Sequence, residues 1–539
     1  DYTLGADIDM QAALQASHKD GNTDRYSGMW GAAGFAPIGD YPNIFTGTLD
    51  GLGHEIIGLK INRPDAARAG LFGLTVNANL QNITLRDATI NGQKHVGGLV
   101  GQAYNTNFNN ITSHNINVTG TDHVGGLVGQ ATINTNFNTI RLDDINVTGT
   151  GNVGGLVGNT YQNTTIETSY AKGTVTSTGS RSAGTNAGGL VGWAVDADIK
   201  TSYAAADVSS TSETANNTVG GLVGYAINTN IKNAYATGGV KASNKTVYIG
   251  GLVGKAYVNT KNLNYKIENT YAMGEVTAPH DNSDQTHIGG LVGCNWARGD
   301  SECAGDTKEQ TYKIINSFWD MTTTGHNESS RGASGKTNEE MDRLATFTNA
   351  TWNISEKGGE DMVWRIYEGQ VAPLLRAFME KVQVTGTGPE ARDYNGKTDA
   401  TISDLQFAEA VDGVTFASSG NGQYANANAG EDKTVTITYA LAGGEKDLHT
   451  VLQRYDFVEP ELKGTINKKA LTITANDASK IYGDTLTFKG TEFTADALQN
   501  GETISVNLTS AGAAETANVK DYTITAAAAT AAEDSGFNA

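Results

Sequence analysis

One short segment contains both cysteines of the chain and the side chains with the most distinctive chemistry. Cys294 and Cys303 are separated by eight residues. In a β-rich chain with many Gly, Asn and Thr residues, such a pair predicts one local disulfide in an oxidising compartment. Two reduced thiols in a cytosolic protein are the alternative interpretation.

The sequence Arg-Gly-Asp lies between these cysteines, at Arg298, Gly299 and Asp300. A disulfide would hold this tripeptide near the tip of a loop, with a cation and a carboxylate on either side of a flexible glycine. Integrins, as a class, recognise that arrangement through a metal-bound aspartate. The three residues are therefore a candidate integrin-binding site, and an exposed loop without a receptor is the alternative.

Closely spaced acidic residues are the next candidates for chemistry. The pairs are Asp7 and Asp9, Asp143 and Asp144, and Asp196 and Asp198. Glycan cleavage needs carboxylates at a fixed separation across a groove, and Ca²⁺ needs several oxygen ligands. We interpret the pairs as solvated turn residues, so we predict no catalytic residue and no cofactor. A Ca²⁺ ion at one of the pairs is an alternative that the sequence leaves open.

Three histidines occupy the same place in a repeated segment, at His95, His123 and His287. Stacked imidazoles on neighbouring repeats could bind a transition metal, but a repeated turn residue is the commoner explanation, so we predict no metal site. The chain has no Ser/His/Asp or Cys/His order, no P-loop and no dinucleotide fingerprint. We therefore expect that the protein is not an enzyme.

The elements that position these residues are repeats built around the phrase Gly-Gly-Leu-Val-Gly. It returns every 28 to 39 residues. The seven copies are at residues 97–101, 125–129, 154–158, 188–192, 220–224, 250–254 and 289–293. A unit of this size cannot bury its own apolar face, so the pattern predicts a stacked array.

Apolar residues form four columns when successive repeats are aligned. The first column is Leu80, Phe108, Phe137, Ile166, Ile199, Ile231, Ile267 and Ile314; the second is Leu85, Ser113, Leu142, Tyr170, Tyr203, Tyr235, Tyr271 and Phe318; the third is Ile90, Val118, Val147, Val175, Val208, Val240 and Val276; the fourth is the leucine of the phrase. About three short strands per repeat predict a parallel β-helix, with each column forming a ladder inside it. The glycines of the phrase are expected to supply positive φ angles and close backbone approach at corners.

The repeats resemble a known family. The phrase, followed in later copies by Tyr-Ala-x-Gly-x-Val at 170–175, 235–240 and 271–276, resembles the GLUG repeats of large bacterial exported adhesins. Residues 394–398 and 430–437 resemble a YDG-type β module of the same proteins. Residues 469–474 and 480–484 resemble the opening of an MBG module, which is a mostly β-grasp domain.

The sequence therefore predicts an all-β protein, with a parallel β-helix (solenoid), a small C-terminal cap, and small β-sandwich or β-grasp-like modules. The predicted domains are irregular N-terminal coils (1–69), a GLUG-repeat β-helix (70–321), a cap with a short helix (322–378), a YDG-like β module (379–467) and an MBG-like β-grasp module that is truncated (468–539). A capping box at 337–340 starts the short helix. Trp352 and Trp364 are expected to form the core of a cap over the last coil, and a sugar-stacking platform is the alternative.

Charge narrows the range of partners. A net charge of −20 argues against nucleic acid and anionic membrane surfaces as partners. The chain has no run of 18 or more apolar residues, so the sequence predicts no membrane insertion. Because the chain starts abruptly in a strand-like segment and stops in a polar, Ala-rich stretch, we expect that it is a piece of a longer protein.

The family resemblance implies a function. It implies an extracellular adhesin segment, at the cell surface or in the biofilm matrix of a Gram-negative bacterium, exported with an outer-membrane partner by two-partner secretion. It is similar in particular to the cyclic-di-GMP-regulated biofilm matrix adhesins of Pseudomonas. This likeness implies cell–cell aggregation and binding of exopolysaccharide or cell-surface glycan. A β-helix glycan lyase or hydrolase and a passive structural stalk are the alternatives.

Overall fold

The computed structural model describes residues 1–11, 31–179, 184–212, 217–243, 247–259, 264–279, 286–297, 303, 312–329, 332–411, 414–417, 420–439, 441–443, 448–496, 498–499 and 501–531. The chain divides into two compact units. Unit 1 contains Asp1–Glu356 and Asp361–Phe378, and unit 2 contains Lys357–Glu360 and Met379–Ala539.

Unit 1 is a parallel β-solenoid whose described strands form three long sheets, which confirms the predicted fold class. Sheet 1 consists of Tyr2–Thr3, Ile8–Asp9, Thr48–Asp50, Glu55–Ile57, Lys60–Asn62, Asn79–Asn91, Asn107–Thr119, Asn136–Gly149, Thr164–Ser177, Ala197–Ser210, Asn230–Ala236, Val240–Ala242, Lys266–Ala272, Val276–Thr277, Lys313–Ile315, Ser317–Asp320 and Ala333–Lys336. Sheet 2 consists of Arg68–Ala69, His95–Gly97, His123–Gly125, Asn152–Gly154, Asn186–Gly188, Asn217–Gly220, Val247–Gly250 and His287–Gly289. Sheet 3 consists of Phe72–Val76, Val100–Tyr104, Val128–Thr132, Val157–Tyr161, Val191–Val195, Val223–Ile227, Val253–Val258 and Val292–Ala297. Each coil of the solenoid thus uses the phrase to pass from sheet 2 to sheet 3.

The first and third predicted columns and the leucines of the phrase line the interior, as expected. Phe108 pairs in register with Leu80 and with Phe137, and Val118 pairs with Ile90. The leucines of the seven phrases are fully buried. Burying one such side chain stabilises the fold by about 1.5–3 kcal/mol, so these ladders are the main source of stability for the stack.

The second predicted column is wrong in its later half. Leu142 pairs with Ala171, while Tyr170 pairs with Arg141, and the register shifts between Leu142 and Ile145. The inward column continues through Ala171, Ala204, Ala236, Ala272 and Trp319, and the outer face carries Tyr170, Tyr203, Tyr235, Tyr271 and Phe318. The aligned column placed Tyr170 opposite Leu142, one residue away from the observed pairing, and side chains one residue apart on a strand point to opposite faces.

The glycines of the phrase provide close approach but not positive φ angles, which corrects half of their predicted role. None of them has a positive φ. A Cβ atom at Gly98 would lie 2.5 Å from the carbonyl oxygen of Gly126 on the next coil. The positive φ angles fall instead mainly on polar residues at corners of the coils, such as Asn82, Asn110 and Thr139. Asn tolerates this conformation better than most residues do.

The outer tyrosines are covered by the cap. The ring centroids of Phe378 and Tyr203 are 5.0 Å apart in an edge-to-face arrangement, and those of Trp364 and Tyr271 are 6.0 Å apart. Trp352 and Trp364 are 5% and 0% exposed, so they are core residues and not a sugar-stacking platform. The cap therefore covers the flank of several coils, in addition to extending sheet 1 at its end through Ala333–Lys336.

The cap contains short helices and one small sheet. The predicted capping box forms, because the Thr337 hydroxyl accepts from the Glu340 backbone and the Glu340 carboxylate accepts from the Thr337 backbone. The helices are Met321–Thr324, Asn338–Met341 and Leu344–Thr348, the strands are Ile354–Ser355, Trp364–Tyr367 and Val371–Leu375, and the 3-10 turns of unit 1 are Gly31–Ala33 and Arg376–Phe378. The helix that this box starts ends at Met341, and a second helix starts at Leu344.

Unit 2 consists of small sheet modules. One described sheet contains Ser403–Phe407, Glu380–Thr387 and Tyr455–Val458, and another contains Arg392–Asp393, Leu462–Asn467, Gly430–Thr438, Asn421–Tyr424 and Asp399–Thr401. The paired strands are Val414–Phe416 with Leu441–Gly443, Ile473–Ala475 with Phe493–Ala495, and Ile504–Thr509 with Thr525–Ala531; the helices are Leu448–Arg454 and the 3-10 turn Ala511–Ala513. No helix in the described ranges of either unit is long and apolar enough to cross a lipid bilayer.

Candidate functional site

The two cysteines are joined in the structure, whereas the predicted Arg-Gly-Asp site cannot be placed. A bond of 2.09 Å connects the sulfur atoms of Cys294 and Cys303, whose Cα atoms are 5.4 Å apart. Arg298, Gly299 and Asp300 lie outside the described residues. Integrin binding by these three residues stays a prediction.

The acidic pairs are engaged with neighbouring coils. Asp7 accepts hydrogen bonds from the His54 ring and from the Glu55 backbone, both at 3.0 Å. Asp143 accepts a hydrogen bond of 2.7 Å from the hydroxyl of Tyr170. Asp196 and Asp198 accept from asparagine amides one coil further along, at 3.0 and 2.8 Å. These contacts tie the coils together, as expected of structural turn residues.

The histidine column places two of its three members together. His95 pairs with His123, and their ring centroids are 5.1 Å apart. His287 lies far along the same column and stacks on Tyr248 at 5.2 Å. In the part of the chain that the structure describes, no three His, Cys, Asp or Glu side chains are grouped so that they could hold a metal ion.

A continuous row of outward-facing side chains follows the glycine phrase along sheet 3, and we call it the outer track. It consists of the residue immediately after each phrase, in register from coil to coil: Gln102, Gln130, Asn159, Trp193, Tyr225, Lys255 and Cys294. These residues face outward because the next residue of the strand, such as Ala103, Ala131 or Ala226, points into the core. Equivalent atoms in neighbouring strands lie about 4.8 Å apart, so the track has one side chain per coil at regular spacing. Gln130, Trp193 and Tyr225 are half-buried, and the other members are largely covered by their neighbours.

The first part of the track is a chain of amide hydrogen bonds. The guanidinium of Arg68 donates to Gln102 at 2.7 Å and to Asp40 at 2.9 Å. The Gln102 amide donates to Gln130 at 2.7 Å, and the Gln130 amide donates to Asn159 at 3.2 Å. Each side chain fixes the orientation of the next, so the polar groups are held in place before any ligand arrives.

A cavity of about 430 Å³ opens beside this amide chain. It is lined by Tyr41, Arg68, Leu74, Val76, Asn77, Gln102, Tyr104, Asn105, Ile133 and Asn134. The ring of Tyr41 is 72% exposed, and Ile133 is 43% exposed. The cavity thus combines exposed apolar surface with several fixed amides and one guanidinium, which is the composition of a site for a small polar molecule.

The second part of the track is aromatic and contains one lysine. The rings of Trp193 and Tyr225 are nearly parallel, with centroids 6.2 Å apart, and both are half-buried. The Lys255 ammonium lies 4.0 Å from the ring centroid of Trp296 and 4.3 Å from that of Tyr248. Tyr248 belongs to sheet 2 and lies two residues before the phrase, so at this coil sheet 2 also contributes a ring to the track.

Apart from Cys294, which was predicted as a disulfide partner, no residue of the track or its cavity was among the predicted site residues. The signal was present in the sequence, because the residue after each phrase changes from amide to aromatic to Lys while the phrase itself stays constant. What the sequence did not reveal is that Tyr41 and Arg68 lie beside Gln102. Those residues are separated by tens of positions and meet only when the coils stack.

Comparison with known families identifies three kinds of unit in the chain. The YDG domain matches residues 379–449, and the MBG domain of the YGX type matches residues 471–536. The GLUG motif matches residues 149–176 and 215–241. These are repeat and adhesin-like domain families, not enzyme families, and their combination is consistent with a large repeat-containing surface protein.

Two curated proteins are similar to part of the chain. Halomucin of Haloquadratum walsbyi is 41% identical over 100 residues, which cover 18% of this chain and 1% of halomucin. A putative Gly-rich membrane protein of Evansella cellulosilytica is 32% identical over 118 residues, which cover 22% of this chain and 10% of that protein. The chain thus matches only a small share of the length of either relative. No solved structure matches the chain.

Proposed function

We propose that the chain is a segment of a large adhesin at the cell surface, and that its solenoid binds an extended glycan along the outer track. The observation that carries this proposal is the cavity of about 430 Å³ beside the amide chain, with the exposed ring of Tyr41 at its edge. From this cavity the track continues, one side chain per coil, toward Tyr225 and Lys255.

The chemistry of the track suits a sugar chain. A pyranose ring has an apolar C–H face, which packs on an aromatic ring, and hydroxyl groups, which exchange hydrogen bonds with amides. Gln102 and Gln130 are already oriented by their neighbours, so binding costs little side-chain entropy. A repeating polymer also matches a repeating surface, because successive sugar units can meet equivalent positions on successive coils.

The biological setting belongs to the same proposal. We place the parent protein on a Gram-negative cell or in its biofilm matrix, exported with an outer-membrane secretion partner. There the solenoid would attach cells to exopolysaccharide or to a cell-surface glycan and so promote aggregation. The matched domains and the name of the Gly-rich membrane protein support a surface location.

The first experiment measures retention of the protein on immobilised polysaccharides. The panel consists of polygalacturonate, its fully methyl-esterified form and a neutral glucomannan. We expect retention on at least one polymer, and Tyr41→Ala should weaken it about tenfold, because loss of one stacked ring removes on the order of 1 kcal/mol. Tyr2→Ala is the matched control, since Tyr2 is 64% exposed but does not line the cavity.

The same incubations separate the alternatives. New reducing ends or unsaturated products would identify a glycan hydrolase or lyase and overturn the proposal. Neither retention nor cleavage on any polymer would indicate a passive stalk. Equal retention of wild type and Tyr41→Ala would move the binding site away from the cavity and remove the observation on which the proposal depends.

A further inference from the structure

Lys255 is a nearly buried cation in the outer track. The residue is 7% exposed, and three aromatic rings surround its ammonium group, with the Tyr225 centroid at 5.5 Å and those of Tyr248 and Trp296 closer. Among the described residues, none forms an ion pair or a side-chain hydrogen bond with this ammonium. Its only electrostatic partners there are the faces of the rings.

The rings compensate the buried charge only in part. A cation–π contact contributes about 0.5–2 kcal/mol, whereas removing an ammonium from water costs several kcal/mol. Burial lowers the pKa of Lys255 to about 8, so the side chain is still mostly protonated at pH 7. The site therefore holds a positive charge whose compensation is incomplete, and an anion placed against it would restore the lost interaction.

We propose that Lys255 binds a carboxylate of an acidic polysaccharide that lies along the outer track. This inference rests on the proposed function, because it needs a glycan on the track. Lys255 pairs in register with Tyr225 on one side and with Cys294 on the other. A chain that follows the track therefore passes the ammonium, and a uronic acid unit at that coil can present its carboxylate there.

The overall charge of the protein makes the contact selective. The net charge of −20 repels a polyanion at long range, but at 0.1 M salt such repulsion is screened within about 10 Å. Contact at Lys255 acts at much shorter distance, and a charge-assisted hydrogen bond contributes about 1.5–3 kcal/mol. Preference for an acidic polymer should therefore depend on this one residue more than on the general surface charge.

The test compares polygalacturonate with its fully methyl-esterified form, which has the same backbone without the charge. Dissociation constants are measured for the whole chain at 0.15 M NaCl. We expect about tenfold tighter binding of the acid form by wild type, loss of that preference in Lys255→Met, and its retention in Lys255→Arg. Lys241→Met is the matched control, because Lys241 is an exposed lysine on sheet 1 of the same solenoid.

Each outcome decides the proposal. Equal binding of both polymers by wild type would overturn the role of Lys255 while leaving glycan binding intact. If Lys255→Met weakened both polymers equally, or lowered the thermal midpoint together with all binding, Lys255 would be only a structural clamp for the rings. If the protein bound neither form of polygalacturonate and did not bind the neutral glucomannan, the proposed function and this inference would both be overturned.

Discussion

Individual side chains in the solenoid are constrained by what the next coil places against them. His95 is 8% exposed, and its Nδ1 atom has no hydrogen-bond partner among the residues that the structure describes. Burial is the main cause that lowers the pKa of His95, to about 3, and the neighbouring His123, Lys94 and Arg68 lower it further while Asp122 opposes them. The residue is therefore neutral in the fold over the whole physiological pH range.

Protonation of this histidine in the unfolded chain should make the solenoid sensitive to acid. The unfolded state binds a proton near pH 6.5 and the folded state only near 3, so the stabilising contribution is present above pH 6.5 and is lost as the pH falls toward 3. Asn occupies this column at Asn152 and Asn186. Replacing His95 with Asn should therefore remove the part of the acid-induced loss of stability that comes from protonation of His95.

The measurement is the free energy of unfolding at pH 7 and pH 4.5 for wild type and for His95→Asn. We expect the difference between the two pH values to be smaller in the variant by about 2 kcal/mol. Carboxylates titrate equally in both proteins, so they cancel in the comparison. An identical pH dependence in wild type and variant would contradict the neutral, buried state of His95.

At the scale of elements, the phrase is a device for packing and not a signature of function. Its glycines allow one coil to approach the next, and its leucine and valine fill the interior. A Cβ atom at Gly221 would clash with the carbonyl oxygen of Gly251 and lie 2.8 Å from the Ala236 side chain. At Gly239, by contrast, the nearest atom is the Asp207 side chain at 3.4 Å.

This contrast predicts that substitution by Ala destabilises the fold more at Gly221 than at Gly239. Gly221→Ala should destabilise its coil by about 1–3 kcal/mol because backbone atoms must shift, and a β-branched Val should be worse. Gly239→Ala should change stability by no more than about 0.5 kcal/mol. Hydrogen exchange should show faster exchange in the strands next to Gly221 and unchanged protection at His123–Gly125, several coils away.

If Gly221→Ala exchanged like wild type, the close approach of the coils would not constrain this position. If instead distant coils lost protection as well, the array would behave as one cooperative body, in contrast to the nearest-neighbour behaviour expected of repeats.

At the scale of the whole molecule, the chain combines two units with different construction. Unit 1 repeats one coil and buries ladders of like side chains, whereas unit 2 consists of separate small sheets with their own cores. Stability in the first depends on stacking and on the cap over the tyrosines. In the second it depends on local packing around residues such as Phe457, which is fully buried.

The two units should unfold as separate transitions in calorimetry. Trp364→Ala in the cap and Phe457→Ala in unit 2 each remove a fully buried aromatic ring, which typically costs about 3–5 kcal/mol. Each variant should lower the midpoint of one transition and leave the other in place. A single transition that both variants shift equally would show that the units unfold together.

The sequence alone determined the architecture, because the period of the phrase sets which residues stack. Phe108 on Leu80, Val118 on Ile90, and the buried leucines all follow from counting. The capping box of Thr337 and Glu340 was also readable, since its partners are three residues apart. These features depend on spacing along the chain, and spacing is what a sequence records.

Only the tertiary structure decided which face Tyr170 takes, what covers it, and which residues meet at the track. The tyrosines lie outside because Tyr170 pairs with Arg141 and not with Leu142. The register shift that produces this difference lies between Leu142 and Ile145, and counting repeats cannot locate a shift of one residue. Likewise, Lys255 meets Trp296 from the next coil, 41 positions later in the chain. Contacts across such distances depend on how coils of unequal length stack, so they are settled by packing and not by the repeated phrase.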